Sequence, residues 1–312
     1  MTRRVPELSL RHYLAGDAGE RAAFEQALFA GLQDYGFIIL ADHGVEESLL
    51  DSAYATAQRF FALPLAEKLV CSGGLRGYTP FGVEHARDHA VPDLKEFFQV
   101  GREPASAAHL GEDYPPNVWP DAHAEVARVF GALYAALDGA AQALLRALAP
   151  SLQLPAEWFV ERVAAGNSVL RVIHYPPVAA DAAPGAVRSA AHEDINLITL
   201  LVEGTSGGLE LKLRDGNWLP VRSLGGQIIL DAGDMLALAA QLHAQAPAAR
   251  LDWVGTSMGG LIGMAVTGTP NLPLPVPVSR LVLNDVGPAL RWEALVRISG
   301  YVGKTGQFST VE

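Results

Sequence analysis

The sequence predicts a mixed α and β protein built in three successive parts, and three changes of hydrophobic period predict it. Residues 1–165 are dominated by apolar residues at helical spacing. Residues 166–234 switch to short β-branched and leucine-rich runs joined by turn-formers, the pattern of antiparallel strands. Residues 235–312 alternate helix and strand, the pattern of a parallel sheet covered by helices. The chain has 312 residues, half of them hydrophobic, enough for a sizeable core. Its net charge of −11 is dispersed; it reads as solubility and argues against nucleic acid or an anionic membrane surface as partner. Cys71 is the single cysteine, so no disulfide forms within the chain, which fits a reducing cytoplasm. "MTRRVPELSLRHYL" has no long apolar segment behind its paired arginines, so no signal peptide is expected, and no apolar run reaches membrane-spanning length.

In order along the chain, residues 19–35 form a helix that ends at Gly36. "FIIL" (37–40) is a short buried strand, and "EESLLDSAYATAQRFFAL" a second helix stopped by Pro64. Residues 72–120 are loop-rich, with "GLRGYTPFG" and "DYPPNVWP" as turn-formers. A long Ala/Leu-rich helix covers 121–148, and "PAEWFVERVAA" is a shorter one. Strands are expected at 168–176, 195–203, 208–221 and 226–234, with Asp215-Gly216 as a hairpin turn. The last part reads as helix 235–249, strand 250–254, helix 258–266, strand 279–284 and helix 291–301. No internal repeat or low-complexity tract interrupts this order.

Two stretches carry chemistry. The first is Gly255-Thr256-Ser257-Met258-Gly259, a G-x-S-x-G between an apolar run and "LIGMAV", the setting that raises a nucleophilic serine on a strand-to-helix turn. A serine nucleophile needs a histidine base that follows it in the α/β-hydrolase order, and none of the nine histidines follows Ser257. The segment 251–300 resembles an α/β-hydrolase, with "SRLVLNDVGP" as its next strand and Asp285 at the strand's end. The preceding core strands and oxyanion loop have no counterpart; His43-Gly44 only imitates that loop. No catalytic residue is therefore assigned, and a serine hydrolase acting through Ser257 stands as an alternative.

The second stretch is "SAAHEDINLITLL". His192 and Asp194 stand two apart on an expected strand, so both side chains face one side. An imidazole and a carboxylate together are two of the three ligands of a 2-His-1-carboxylate Fe(II) site. Spacing alone does not single them out, since His123-x-Glu125 has the same spacing on a helix.

Context does. Residues 1 to about 234 resemble the isopenicillin N synthase-like Fe(II)/2-oxoglutarate oxygenases, through "LQDYGFIILADHGV", "RGYTPFG", "DLKEFFQVG", "LRVIHYPP" and "AAHEDINLITLLVEGTSGGLEL…GNWLPV…IILDAGDML". The resemblance implies a double-stranded β-helix, or jelly roll, with N-terminal helices packed on it. It implies Fe(II) as metal, held by His192 and Asp194, and 2-oxoglutarate as co-substrate, contacted by Tyr175. It also implies a small-molecule substrate, oxidised at a C–H bond while 2-oxoglutarate becomes succinate and CO₂. The family's third ligand is a distal histidine; His243 follows His192 by 51 residues but in a helical setting. Its co-substrate arginine stands in an Arg-x-Ser, which Arg297-Ile298-Ser299 matches only formally, inside a hydrolase-like helix.

The sequence thus reads as a hybrid. An N-terminal region (1–165) and a truncated jelly-roll core (166–234) of an Fe(II)/2-oxoglutarate oxygenase run into an α/β-hydrolase-like fragment (235–312) near residues 234–236. The expected jelly roll is incomplete and lacks its third protein ligand and its co-substrate arginine. An inactive hybrid chain is the further alternative.

Overall fold

The computed structural model describes residues 4–84, 91–103, 115–152, 154–164, 166–178, 182, 185–192, 194, 196–202, 207–213, 215–221, 225–233, 251–256 and 278–284. It divides into two compact units, 1–240 and 241–312. In the first, the chain runs through β1 (Glu7–Ser9), α1 (Leu10–Ala15), α2 (Ala18–Tyr35), β2 (Phe37–Ala41), α3 (Glu47–Phe61), α4 (Leu65–Leu69), β3 (Gly77–Thr79) and β4 (Glu96–Gly101). It continues through α5 (Ala124–Leu148), α6 (Trp158–Val163), β5 (Val169–His174), β6 (Ile198–Val202), β7 (Glu210–Lys212), β8 (Trp218–Pro220) and β9 (Ile228–Ala232).

Local chemistry sets the helix ends. α2 opens on a capping box, the Asp17 carboxylate accepting from the Glu20 N–H and the Glu20 carboxylate from the Asp17 N–H, both at 2.9 Å. It stops at Gly36, whose φ of 75° lies in the left-handed region where a side chain would be strained. That turn delivers the chain into β2. β2 pairs in parallel with β1 and antiparallel with β9, which pairs antiparallel with β6, giving the order β1-β2-β9-β6. A second sheet is antiparallel throughout, in the order β3-β4-β5. β7 and β8 form a hairpin whose turn holds Gly216 at a φ of 86°, with the Asp215 carboxylate accepting from the Asn217 N–H at 3.1 Å. The expected Asp215-Gly216 turn is present. The sheets and the helices before them are consistent with the jelly roll that the resemblance implies.

Two readings of the sequence are corrected. Residues 72–120 are not only loop: they carry β3 and β4, so both larger sheets draw strands from either side of residue 165. All six residues of β4 are buried, which removes the inside/outside alternation that marks a strand in sequence. The strand expected at 195–203 begins only at Ile198, so His192 and Asp194 precede it on irregular chain.

The main core joins the helices to both larger sheets, taking in Phe98 and Val100 of β4 and Ile38, Leu40, Ile228 and Leu230 of β2 and β9. α5 buries Val126, Val129, Phe130, Leu133, Leu137 and Leu144 along one stripe. Phe98 on β4 meets Phe60 edge-on at 5.2 Å, Phe130 at 5.8 Å and Trp119 stacked at 5.7 Å between ring centroids. His43 is structural: its Nδ1 accepts from the Val45 N–H at 3.1 Å and its Nε2 donates to the Gly226 carbonyl at 2.8 Å. It ties the turn after β2 to the entry of β9.

Gly101, the last residue of β4, lies against Arg76. A Cβ there would sit 2.1 Å from the Arg76 Nε and 2.3 Å from its Cζ. Arg76 is buried, donating to the Leu75 carbonyl at 2.8 Å and to the Asn167 side-chain oxygen, so it has little room to retreat. Gly101→Ala is expected to cost about 1–3 kcal/mol, read as a lower urea midpoint at unchanged slope.

In the second unit, β10 (Leu251–Thr256) and β11 (Val278–Asn284) pair in parallel, the arrangement that the helix–strand alternation predicts. The helices expected at 235–249, 258–266 and 291–301 lie outside the described residues, as do Ser257, His243, Asp285, Arg297 and Ser299. No helix of the described residues is long and apolar enough to cross a membrane.

Candidate metal centre

Alternation along β4 and β5 assigns two jobs to two faces. In the register Glu96↔His174, Phe98↔Val172 and Val100↔Leu170, these residues share the face turned to the helices. Phe97↔Ile173 and Gln99↔Arg171 share the other. On that other face the Arg171 guanidinium lies 4.5 Å over the Phe97 ring centroid and donates to the Gln99 side-chain oxygen at 3.0 Å. Arg171 also reaches Glu84 at 3.1 Å. Glu84 and Asp93 both bind the Lys95 ammonium at 2.9 Å. Burial works against the Lys95 charge, but these two carboxylates outweigh it and hold its pKa above the usual lysine range.

This ladder of charges fixes the segment that leads to His192. The Leu94 N–H donates to the Val187 carbonyl at 2.9 Å, and the Ala190 N–H to the Asp93 carboxylate at 3.1 Å. Tyr175, next after β5, hydrogen-bonds the Ser189 side chain and feels the charges of Lys95, Asp93 and Arg171. Burial raises its pKa.

The carbonyl of Ala190 in turn holds His192 Nδ1 at 2.8 Å. A carbonyl only accepts, so Nδ1 carries a proton and Nε2 is left to face outward. His192 Nε2 lies 3.5 Å from Asp194 Oδ1. Asp194 Oδ2 accepts from the Thr199 hydroxyl, whose oxygen accepts from Asn196 Nδ2 at 2.8 Å. The Asp194 carboxylate and the Ala190 carbonyl raise the His192 pKa to about 9. Its hydrogen bond with His192, joined by Thr199, lowers that of Asp194 against the opposing effect of burial. The two side chains meet as the sequence predicts, but by a different cause. A hydrogen bond to the Ala190 carbonyl and one from the Thr199 hydroxyl aim them, rather than strand alternation.

Sequence reasoning missed Glu84, Asp93, Lys95, Arg171, Asn196 and Thr199. The signal for two of them, Asp93 and Lys95, was the charge run in "DLKEFFQVG", since charges in a buried segment need partners. His123 confirms the caution about spacing: it lies 3.7 Å from Glu67, at the N-terminus of α5, in an exposed contact.

The donor set suits Fe(II). An imidazole nitrogen, able to bind a metal once its proton is displaced, and a carboxylate oxygen converge, while the second polar atom of each side chain is already satisfied within the chain. Among the described residues no third His, Cys, Asp or Glu joins them.

Known proteins resemble this chain over about three quarters of its length. Residues 5–122 match the family model described as non-haem dioxygenase in morphine synthesis N-terminal, and 166–247 match that of the 2OG-Fe(II) oxygenase superfamily. The second match ends at residue 247 and so includes His243. A proline hydroxylase of Petromyces alliaceus is 33% identical over 250 residues, covering 74% of this chain and 75% of the relative. A solved 2OG-Fe(II) oxygenase family protein from Caulobacter crescentus is 38% identical with a TM-score of 0.66, covering 75% of each chain. A full-length Neurospora crassa protein, solved in complex with alpha-KG, is 27% identical with a TM-score of 0.66, covering 75% of this chain and 74% of its own. With two sheets, a converging His/Asp pair and these matches, the chain belongs to the 2OG-Fe(II) oxygenase superfamily, and its function is that of a 2-oxoglutarate-dependent dioxygenase with Fe(II) as metal.

Proposed function

We propose that His192 and Asp194 are protein ligands of the Fe(II), and that Tyr175 contacts 2-oxoglutarate on the face it shares with Arg171. The observation that carries the reading is the 3.5 Å approach of His192 Nε2 to Asp194 Oδ1. Bound there, Fe(II) with O₂ supplies the coupled oxidation of 2-oxoglutarate to succinate and CO₂ and of a substrate C–H bond. The chain's own groups prepare the site. Ala190 holds the proton on Nδ1 and so frees Nε2. The Tyr175 hydroxyl offers a hydrogen bond on the face that carries Lys95 and Arg171, whose charges Glu84 and Asp93 balance. The substrate is a small organic molecule; the Neurospora crassa protein is also solved with alpha-KG and thymine.

The finer assignment is of the isopenicillin N synthase-like kind, in the divisions 1–165, 166–234 and 235–312. Residues 235–312 we assign to an α/β-hydrolase-like fragment, leaving the jelly roll incomplete and the site with two protein ligands. The parallel β10–β11 pair supports this, while the oxygenase family match runs past residue 235 as far as 247. A single free cysteine, Cys71, supports a cytoplasmic setting.

Purified anaerobically and given Fe(II), 2-oxoglutarate and then O₂, the chain is expected to form succinate without added substrate. No Fe(II)-dependent succinate overturns the reading of the dyad. Mn(II) calorimetry on the parent and on His243→Ala tests the two-ligand site: equal affinity supports it, and a large loss makes His243 a ligand. Asp93→Ala is expected to weaken Mn(II) binding by about 10–100-fold, because it frees the Ala190 segment that orients His192. The same titration measures it.

A further inference from the structure

A carboxylate can bind a metal through one oxygen or through both, and the partners of Asp194 distinguish its two oxygens. Asn196 Nδ2 can only donate, and it donates to Thr199 Oγ1 at 2.8 Å. One lone pair of that hydroxyl is thereby used, and its single proton is left for Asp194 Oδ2, which as a carboxylate oxygen can only accept. The relay therefore has one direction, from Asn196 through Thr199 to Oδ2. Its middle member is rigid. Thr199 sits on β6, in register with Asp231 of β9, whereas His192 and Asp194 sit on irregular chain. Its first member is wedged as well: a Cβ on Gly233 would lie 2.2 Å from the Asn196 carbonyl and 2.3 Å from its side-chain oxygen.

We infer that the Thr199 hydroxyl is a positioning group that occupies Asp194 Oδ2 and so restricts the carboxylate to one-oxygen binding through Oδ1. This rests on the reading of His192 and Asp194 as ligands. Its use is to keep the carboxylate from taking a second coordination position that the co-substrate or O₂ needs. Thr199 itself touches neither metal nor substrate.

The test compares Thr199→Val, which keeps the shape and removes the hydroxyl, with Thr199→Ser, which keeps the hydroxyl. The full chain is titrated with Co(II) under anaerobic conditions, by calorimetry and by the visible Co(II) spectrum, which responds to coordination number. Thr199→Val is expected to bind Co(II) about 10–100-fold more weakly, with an altered spectrum. Thr199→Ser is expected to match the parent in both. Parent-like affinity and spectrum in Thr199→Val would overturn the inference alone. So would a Thr199→Ser variant as impaired as Thr199→Val, since size rather than the hydroxyl would then matter. A parent that binds no Co(II), or binds it equally well as His192→Ala, would overturn the dyad reading and the inference together.

Discussion

His192→Ala is expected to lower Fe(II)-dependent succinate formation by more than about 100-fold, beyond the range for losing an outer hydrogen-bond partner of a metal ligand. Asp194→Ala should do the same. The fold should survive both changes. The His192 side chain is 52% exposed and Asp194 26%, and exposed ion pairs contribute little to stability. The measurement is succinate formed per enzyme, beside thermal unfolding of the metal-free protein. Lost turnover at an unchanged unfolding temperature is the expected pair of results. Retained turnover in either variant would remove that residue from the site.

Glu96→Ala is expected to have the opposite signature, costing about 3–5 kcal/mol of stability because it strips a buried cation of its partner. Glu96 and Lys68 are both nearly fully buried, with the Lys68 ammonium 2.8 Å from the carboxylate. Lys68 also donates to the Phe61 carbonyl at 3.1 Å. The Tyr78 hydroxyl donates to the same Glu96 oxygen at 2.5 Å, and His174 Nδ1 lies 2.8 Å from the other oxygen while its ring stacks on Phe61. Burial alone raises the Glu96 pKa; the hydrogen bonds from Lys68, Tyr78 and His174 outweigh it, and the net value falls below the ordinary 4.5. The sign follows. With the folded pKa below the unfolded one, the stabilisation is complete above about pH 4.5 and is lost as pH falls through the folded value. Urea unfolding of parent and Glu96→Gln between pH 3 and 7 reads this directly. The two curves should converge at the acid end. A constant gap would show that the charge on Glu96 is not what stabilises.

What could be read in the sequence was whatever has a period or a spacing. α2, α3 and α5 were legible because each leaves an apolar stripe and a recognisable end, such as Pro64 after α3 or Gly36 after α2. β4 was not, because burial on both faces erases the alternation and puts Lys95 and Glu96 where charges are unexpected. The metal pair was legible as His-x-Asp. Its supports were not, because Asp93 acts on His192 through a backbone amide 97 positions away, which no local pattern encodes. Thr199 was likewise invisible, since a threonine in a strand is ordinary by propensity.

Three of the sequence signatures, "RGYTPFG", "DLKEFFQVG" and "LRVIHYPP", converge on Glu96 through Tyr78, the residue itself and His174. They do so on the side of β4–β5 that faces away from the dyad. The other side of the same two strands presents Phe97, Gln99 and Arg171. A pleated strand therefore separates what can vary from what cannot. Phe97 and Gln99 serve the side that carries Arg171 while Glu96, Phe98 and Val100 serve the side of the helices, because neighbours in sequence never share a side. The same parity makes the strand intolerant of a change in length. Inserting or deleting one residue between Glu96 and Gly101 would exchange the two sides at once, sending the buried carboxylate toward Arg171 and Gln99 or Phe97 into the helices. The parity of β4 thus confines changes of chain length to the loops beyond it.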